Sequence, residues 1–391
     1  MQEIYADLHI HIGRAGERPV KITASPQLTL ENIIFKTAPL KGLHMVAVVD
    51  AGSLAVSQEI EILLEGGKLR EIPQGGLLAD NGVVLILASE CECREGVHLI
   101  SYLPDLISLK DWQKHLQSRV TNLTLSTQRV DMGFIDILYL CRDLDGIFCP
   151  AHVFTPHKGT YGAWTDRLRP RLSQAFELVR VIELGLSADT YMADLLKETA
   201  HFSLLSNSDA HSLPNIGREF NLLQVPEKSF ADLKNCLKGN GESRIIANYG
   251  LDPRMGKYHR SYCPDCDHIT DATAPVRACC ICGSSNIVMG VYDRIMEIKD
   301  DQPCPPEVRP HYHYRVPLSQ IPGVGIKTYQ KLLSTGSSEI EILEKMPGGE
   351  IALLAGQDIA DTILAMRMGR LDIDAGGGGK YGKVKKNHRR H

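Results

Sequence analysis

Apolar residues in the first 243 positions follow two different spacings. Short runs rich in Val, Ile and Leu, typical of buried strands, lie at residues 4–9, 43–49, 83–88, 97–103, 147–151, 179–184 and 202–205. Between most of these runs, apolar residues recur at the three- and four-residue spacing of amphipathic helices, at 30–43, 54–64, 131–144, 191–199 and 230–237. Repeated strand-then-helix units predict an α/β fold with a parallel sheet, and at this length a closed or nearly closed barrel.

The remaining chain has a different pattern and predicts three further segments. Residues 244–304 contain a dense group of cysteines, and residues 305–375 have helical spacing, most clearly at 351–368. Residues 376–391 begin with four glycines and continue with many Lys and Arg, which predicts a flexible basic tail. We therefore expect a barrel at 1–243, a metal-binding module with its linker at 244–304, a helical domain at 305–375 and the tail.

Composition agrees with a globular protein of two or three domains. The chain has 391 residues, of which 43% are hydrophobic and 23% charged. No apolar run reaches membrane-spanning length, and the first residues lack the pattern of a signal peptide, so we expect a cytoplasmic protein. Net charge is −7 over residues 1–243 and +3 over residues 244–391, so the second part is better suited to bind a polyanion.

The first run leads into the segment Asp7-Leu8-His9-Ile10-His11. Successive side chains of a strand alternate between faces, so the two imidazoles and the carboxylate are expected on one face. Neutral imidazole is the commonest ligand of zinc and related ions. We predict that His9 and His11 bind a metal ion, and that Asp7 orients a ligand histidine through its other ring nitrogen.

Later strands also end in residues that are typical metal ligands. The predicted ligands are Asp50, Glu90, His98, His152, Asp209 and His211. Polar groups of these types also occur at strand ends without a ligand role, but so many at one barrel end predict a site for two or three divalent ions, Zn, Mn or Mg. Of these residues, Asp209, Glu90 and His152 are expected to act in catalysis. Glu92, Glu183, His157 and Lys158 lie near the same end, and their role stays open.

Four cysteines of the second segment have the spacing of a structural zinc site. Cys263 and Cys266 form one Cys-x-x-Cys pair, and Cys279 and Cys282 form another twelve residues later. Cys280 is left over, since pairing through it would give a less usual Cys-x-Cys. We predict a small zinc ribbon, whose role in structure or DNA contact the motif does not decide.

A helix-hairpin-helix element is predicted from Pro322-Gly-Val-Gly-Ile-Lys-Thr-Tyr-Gln-Lys. The glycines permit a tight hairpin before a helix, whose exposed backbone N–H groups can bind a phosphate without reading any base. The predicted DNA-binding residues are Gly323, Val324, Gly325, Lys327 and Lys331. The alternative is an ordinary Pro-Gly turn before a helix.

The strand-end motifs resemble those of the polymerase-and-histidinol-phosphatase superfamily. These motifs are Asp7-Leu-His9-Ile-His11, Glu90, His98-Leu-Ile, Pro150-Ala-His152 and Ser208-Asp209-Ala-His211. The resemblance implies a distorted seven-stranded β/α barrel in which His9, His11, Glu90 and Asp209 hold one ion and Glu90, His98 and His152 a second. A third ion would use His211 and a histidine of the second motif, but here Ala51 follows Asp50, so that ligand is absent.

The order of metal barrel, four-cysteine ribbon and helix-hairpin-helix resembles the endonuclease Q family of that superfamily. The resemblance implies a DNA-repair endonuclease that cuts 5′ to uracil, hypoxanthine, xanthine or an abasic site and leaves a 3′-hydroxyl and a 5′-phosphate. Two alternatives stay open: a phosphatase of a small phosphoester such as histidinol phosphate, and a DNA-binding protein with an inactive barrel.

Overall fold

A computed structural model describes residues 1–239 and 241–385. Its strands are β1 (Gln2–Ile10), β2 (Arg14–Ala15), β3 (Arg18–Pro19), β4 (Met45–Val48), β5 (Leu69–Glu71), β6 (Leu77–Ala79), β7 (Val84–Glu92), β8 (His98–Leu103), β9 (Ile147–Pro150), β10 (Val181–Glu183), β11 (Ser203–Leu205), β12 (Phe220–Val225), β13 (Arg244–Gly250), β14 (Tyr262–Cys263), β15 (His268–Ile269), β16 (His311–Tyr314), β17 (Ile373–Asp374) and β18 (Lys383–Val384). Its α-helices are α1 (Ala38–Lys41), α2 (Leu54–Glu65), α3 (Leu106–Leu116), α4 (Phe134–Asp143), α5 (Arg169–Leu172), α6 (Thr190–Ala193), α7 (Phe230–Lys238), α8 (Val291–Ile298), α9 (Ile326–Leu333), α10 (Glu339–Glu344), α11 (Gly348–Ala355) and α12 (Gln357–Arg367).

The barrel is built around β1. In one direction β1 pairs with β4, β4 with β7, β7 with β8 and β8 with β9. The parallel pair β10 and β11 comes next, since Val153, just after β9, donates its backbone N–H to the carbonyl of Glu183 at 2.9 Å. A parallel bridge from Ala210 to Ile10 then returns to β1. The α/β barrel prediction is confirmed.

The prediction of a parallel sheet is correct for only part of the barrel. β1, β4 and β7 are parallel, but β7, β8 and β9 pair antiparallel, as do β1, β12 and β13. Only residues 93–97 separate β7 from β8. A parallel crossover needs about a dozen residues or more, so this short connection forms a hairpin instead.

Two apolar cores lie on the two faces of the barrel sheet. One contains Ala6 and Leu8 of β1 together with Phe230 of α7. The other contains Val48 of β4 and Trp112 of α3. Each strand therefore contributes alternate residues to different cores, as expected for a sheet that is covered on both faces.

The helical C-terminal segment packs directly against the barrel. β16 pairs in parallel with β13 and so extends the barrel sheet. Lys41 at the end of α1 forms a buried ion pair with Glu339 of α10, with 2.7 Å between Nζ and Oε2. The predicted helix at 351–368 is two helices, α11 and α12, because Gly356 adopts a φ of +96° between them. The predicted domain boundary at residue 304 stays a prediction.

The first ten residues of the predicted flexible tail have a fixed fold. β18 pairs antiparallel with β17, and Lys385 contacts Asp372 and Asp374 at 3.4 Å. The rest of the predicted tail, residues 386–391, lies outside the described residues. Within the described ranges, no helix is long and apolar enough to cross a membrane.

Candidate active site

The predicted ligands converge at one end of the barrel, the barrel rim. We call the seven residues that meet there the rim cluster: His9 in β1 and His11 just after it, Glu90 in β7, His98 at the start of β8, His152 after β9, and Asp209 and His211 after β11. The cluster opens into a cavity of about 490 Å³. A volume of this size is typical of small-molecule pockets, which hold about 300–1,000 Å³.

Glu90 lies between two groups of imidazoles. Its Oε1 is 3.6 Å from Nε2 of His9, 3.6 Å from Nε2 of His152 and 3.0 Å from Nδ1 of His98. Its Oε2 is 3.6 Å from Nε2 of His11. One carboxylate can therefore belong to two sets of ligands. These sets are His9–His11–Glu90 and Glu90–His98–His152.

Asp209 faces Glu90 across the first group. Its Oδ1 is 3.5 Å from Nε2 of His9 and 3.4 Å from Nε2 of His11. His11, Asp209 and His211 form a further group of potential ligands. The rim cluster thus offers three overlapping groups of three potential ligands.

The spacing of these atoms fits bound metal ions. Two ligand atoms that each lie about 2.1 Å from one ion at the tetrahedral angle are separated by about 3.4 Å. The contacts of His9 and His11 with Glu90 and Asp209 lie between 3.4 and 3.6 Å. Moreover, Oε1 of Glu90 is buried and has no aligned hydrogen-bond donor among the described residues. A buried carboxylate oxygen without a donor needs another positive partner.

The electrostatics of the cluster also favour cations. Burial acts to lower the pKa of His9, but Glu183, Asp209 and Glu90 outweigh it and raise this pKa to about 10. Burial acts to raise the pKa of Glu90, yet His98, Lys21 and His152 hold it well below its ordinary value. Carboxylates that stay ionised in a buried site create a negative potential, which a divalent ion satisfies.

Glu183 orients His9, a role that we predicted for Asp7. Oε2 of Glu183 accepts from Nδ1 of His9 at 2.9 Å, so Nε2 of His9 faces the cluster. The carboxylate of Asp7 instead accepts the backbone N–H groups of Ser208 and Gly217, at 3.1 and 2.9 Å. Asp7 therefore fixes the loop before Asp209 and contacts no imidazole among the described residues. The Asp7 prediction is corrected accordingly.

A buried chain of amide side chains supports Glu183. Nδ2 of Asn207 donates to Glu183, Nδ2 of Asn221 donates to Asn207, and Nδ2 of Asn248 donates to Asn221, each at 2.9–3.0 Å. Oδ1 of Asn207 also accepts the backbone N–H of Leu8 in β1. The orientation of one ligand is thus coupled to β12 and β13, which lie outside the rim.

Asp50 contacts the Nδ1 side of the His11 ring, while Nε2 of that ring faces Glu90 and Asp209. Its carboxylate accepts from Nδ1 of His11 at 3.1 Å and from the backbone N–H of Ile12 at 2.6 Å, and it also contacts Ser126. These contacts suit a residue that orients a ligand, and direct coordination by Asp50 stays a prediction. The second-motif histidine has no counterpart here, because the residue after Asp50 is alanine. The side chain of Ala51 is completely buried.

Two members of the cluster have unusual backbone conformations. The φ angle is +31° at His152 and +44° at Asp209, both in the left-handed region that β-carbon-bearing residues seldom adopt. Such strain persists where surrounding contacts determine it, and it concentrates at functional sites. Here it directs both side chains into the same cavity.

Several residues of the cavity, among them Lys21, Arg218 and Tyr381, were not predicted from the sequence. Lys21 places Nζ 3.6 Å from Oε2 of Glu90. Arg218 is buried and donates from Nε to the carbonyl of Ser208 at 2.8 Å and from Nη1 to the hydroxyl of Tyr381 at 3.3 Å. Each stands in a loop without a recognisable motif, and only the fold brings them to the rim.

The four predicted ribbon cysteines form a second site, the cysteine site. Sγ of Cys263 is 3.7 Å from Sγ of Cys282, and Sγ of Cys266 is 3.5 Å from Sγ of Cys279. Zinc–sulfur bonds of about 2.3 Å place tetrahedral sulfurs about 3.8 Å apart. The left-over Cys280 lies apart from the four and contacts His268 at 3.5 Å. The geometry thus fits a zinc ion on the predicted ligands.

The predicted hairpin has a tight turn followed by a helix. Gly323 adopts a φ of +90°, and α9 begins directly after Gly325. Lys327 and Lys331 are exposed on α9. This geometry agrees with the predicted element, while its identity as a helix-hairpin-helix and its DNA contacts stay predictions.

Sequence comparison finds relatives over different lengths of the chain. No protein-family profile matches it. The uncharacterized protein YqxK of Bacillus subtilis is 38% identical over 396 residues, which cover 98% of this chain and 100% of that protein. The uncharacterized protein MJ0043 of Methanocaldococcus jannaschii is 39% identical over 223 residues, or 52% of this chain and 28% of that protein.

Structure comparison extends over nearly the whole chain. The lesion-specific endonuclease PfuEndoQ of Pyrococcus furiosus matches with a TM-score of 0.85 and 33% identity, covering 98% of this chain and 95% of that one. Endonuclease Q in complex with a 27-mer duplex that carries an abasic lesion at the active site matches with the same score and identity, covering 98% and 96%. With its rim cluster, its cysteine site and this similarity from end to end, the chain belongs to the endonuclease Q family.

Proposed function

We propose that the protein is a metal-dependent DNA-repair endonuclease. It cuts the phosphodiester bond 5′ to a deaminated base (uracil, hypoxanthine or xanthine) or to an abasic site and leaves a 3′-hydroxyl and a 5′-phosphate. The observation that carries the proposal is the convergence of the seven potential metal ligands, including Glu90 and Asp209, at one open cavity. Family membership adds the substrate class, since a solved relative holds duplex DNA with an abasic lesion at its active site.

The rim cluster would hold two or three divalent ions. His9, His11, Glu90 and Asp209 would hold one ion, Glu90, His98 and His152 a second, and His11, Asp209 and His211 a third. When bound, such ions activate water for attack on phosphorus and neutralise the charge on the leaving oxygen. In this assignment Glu90 and Asp209 each serve more than one ion, and His152 completes the second set.

The protein's own residues position the DNA and the ligands. Glu183 and Asp50 keep Nε2 of His9 and of His11 directed at the cavity. Lys21 lies at the cavity beside Glu90, where its ammonium group can contact a phosphate oxygen of the bound strand. The cysteine site binds one zinc ion and fixes the ribbon.

The positive charge of residues 244–391 supports a separate role in holding the DNA backbone. The turn of Gly323, Val324 and Gly325 leads into α9, which begins with the exposed Ile326 and Lys327, and Lys331 is exposed one turn later. These residues contact phosphates independently of base sequence. Because the proposed substrate is DNA, we propose that the protein acts at the nucleoid in the cytoplasm.

The test uses a labelled duplex with one lesion. Duplexes carrying deoxyuridine, deoxyinosine, deoxyxanthosine or an abasic site, and an undamaged duplex, are incubated with Mg²⁺, Mn²⁺ or Zn²⁺. We expect a cut directly 5′ to each lesion, no cut in undamaged DNA, and a nick that DNA ligase reseals because it has a 3′-hydroxyl and a 5′-phosphate.

Two other outcomes would contradict the proposal. Phosphate release from histidinol phosphate without cleavage of any duplex would support a small-molecule phosphatase. Binding of damaged DNA without cleavage under any of the three metals would support a DNA-binding protein with an inactive barrel.

A further inference from the structure

Residues 376–382, the glycine loop, are held against the chain that follows the barrel. The backbone N–H groups of Gly376, Gly379 and Gly382 donate to the carbonyls of Arg254, Lys257 and Met255, at 2.7, 3.0 and 2.9 Å. A β-carbon on Gly376 would lie 2.8 Å from the backbone oxygen of Gly256, and one on Gly382 would lie 2.8 Å from the α-carbon of Met255. These glycines therefore allow close packing of two backbones rather than flexibility.

The glycine loop places Tyr381 in the wall of the active-site cavity. Its hydroxyl accepts from Nη1 of Arg218 at 3.3 Å. The same guanidinium donates to the carbonyls of Ser208 and Asp209, at 2.8 and 3.4 Å. The phenol is thus connected through one buried side chain to the backbone of a rim-cluster residue.

The ring of Tyr381 is available to a ligand. The side chain lines the cavity, yet the residue is 44% exposed, which is unusual for an aromatic group anchored at its hydroxyl. Nζ of Lys257 lies over the ring at 5.9 Å from its centroid, and the guanidinium carbon of Arg218 lies over it at 5.7 Å, so cations border the aromatic face. An aromatic face next to a cation is the combination by which proteins bind an unpaired nucleotide, the ring contacting the base and the cation the phosphate.

We propose that Tyr381 is a specificity-determining residue whose ring stacks on the base of a nucleotide turned out of the duplex. The proposal rests on the proposed function, which requires a damaged base to leave the stack before its pairing edge can be inspected. Stacking on Tyr381 replaces part of the stacking that the base loses. An abasic site has no base to stack, so its cleavage does not depend on the ring.

The test compares base-bearing with abasic substrates in single-residue variants. The value of kcat/KM is measured on duplexes with deoxyuridine, deoxyinosine or an abasic site. We expect Tyr381→Ala to lose about 10- to 100-fold on the two base-bearing duplexes, which is the range of one base–aromatic contact. Its loss on the abasic duplex should be about threefold or less, and Tyr381→Phe, which keeps the ring, should stay near wild type on all three.

The control is Tyr191→Ala, which removes another exposed tyrosine, 56% accessible and not part of the cavity wall. This variant should cut all three duplexes like wild type. Thermal unfolding of each variant shows whether the substitution has left the protein folded.

Several results would overturn the assignment of Tyr381. Equal losses of Tyr381→Ala on all three duplexes would make the residue a structural support of the cavity. Unchanged kcat/KM of Tyr381→Ala on the base-bearing duplexes would exclude stacking. In both cases wild type still cuts, so the proposed function stands. Failure of wild type to cut any duplex overturns the proposed function and the assignment together.

Discussion

The rim cluster and the cysteine site both gather metal ligands, but the rest of the protein supports them differently. The rim ligands come from β1, β7, β8 and the segments after β9 and β11; three of them are buried and the other four are partly buried. The cysteine site stands on β14, β15 and loops, with only two-residue strands around it. Cys266 and Cys282 are exposed.

The difference shows which site depends on its metal for folding. The barrel has extensive apolar cores and hydrogen bonds that position Glu183, Asp50 and the ligand histidines independently of any ion. Around the cysteine site few apolar residues are buried, so the metal–thiolate bonds must supply much of the folding free energy. Loss of metal should therefore inactivate the barrel without unfolding it, and should unfold the ribbon.

The largest effect is expected from Asp209→Asn. An amide keeps the size of the side chain but removes a charge that the rim metals need, so the cleavage rate of an abasic duplex should fall at least about 100-fold. The melting temperature should change little. Single-turnover kinetics and circular dichroism measure the two quantities.

Asp301→Asn is the matched control, since it makes the same chemical change at an exposed carboxylate and should leave the rate unchanged. A near-normal rate of Asp209→Asn with its rim metals depleted would show that Asp209 is not a ligand that the reaction requires.

A smaller loss is expected from Glu183→Gln. This change keeps an oxygen near Nδ1 of His9 but removes the charge that orients the ring, and such support contributes about 10- to 100-fold in metal affinity or activity. Excess divalent metal should restore most of the cleavage rate, whereas it should not rescue Asp209→Asn. Glu65→Gln, at an exposed glutamate, is the control. A defect that no metal concentration rescues would contradict a role in orientation.

The cysteine site can be separated from the barrel with two matched substitutions. Cys263→Ser should lower the zinc content by about one ion per chain and loosen the ribbon while the barrel melts as in wild type. Cys280→Ser removes the left-over thiol and should retain all zinc. Elemental analysis and limited proteolysis measure these outcomes. Equal zinc loss in both variants would place Cys280 among the ligands.

The smallest effect is expected where neither metal site is changed. The double variant Lys327→Ala, Lys331→Ala should weaken binding to damaged and undamaged DNA by the same factor and reduce the slope of log K against log salt by about 1.8. Lys110→Ala, at an exposed lysine paired with Glu61, is the control. A change in the preference for damaged DNA would make the hairpin a reader of the lesion.

Point substitutions suit this question better than removal of the C-terminal segment. β16 is a strand of the barrel sheet, and Glu339 of α10 pairs with the buried Lys41. Truncation before β16 would remove a hydrogen-bonded neighbour of β13 and leave a buried lysine without its carboxylate. Such a chain would report on folding as well as on DNA binding.

Local sequence was sufficient to predict which residues converge at the rim but not which residues support them. His9 and His11 are two residues apart in one strand, so their proximity follows from strand geometry. Glu183 reaches His9 from a strand 174 residues away, which only the closure of the barrel determines. The same local view favoured Asp7 as the orienting group, because it cannot show that the backbone N–H groups of Ser208 and Gly217 occupy that carboxylate.

The glycine loop shows a second limit of local sequence. Consecutive glycines followed by basic residues are typical of a linker. Their packing partners at 254–257 lie more than a hundred residues earlier, so no local pattern distinguishes a mobile segment from a tightly packed one. The antiparallel pairing of β7 and β8 could not be predicted for a similar reason, because an apolar run does not show the direction of its strand.

The position of the glycine loop in the chain has a consequence for how the enzyme is made. Every residue of the rim cluster is synthesised before residue 212, whereas Tyr381 leaves the ribosome about 170 residues later. The barrel strands are complete through β13 only at Gly250, about 130 residues before Tyr381, so at ~5–20 residues per second they have ~6 seconds or more in which to fold before this part of the cavity wall exists. A chain that stops before the loop would thus contain the metal ligands but lack Tyr381 in the cavity wall. Under the proposed role of Tyr381, the residue that determines selectivity among lesions would be synthesised after all the metal ligands.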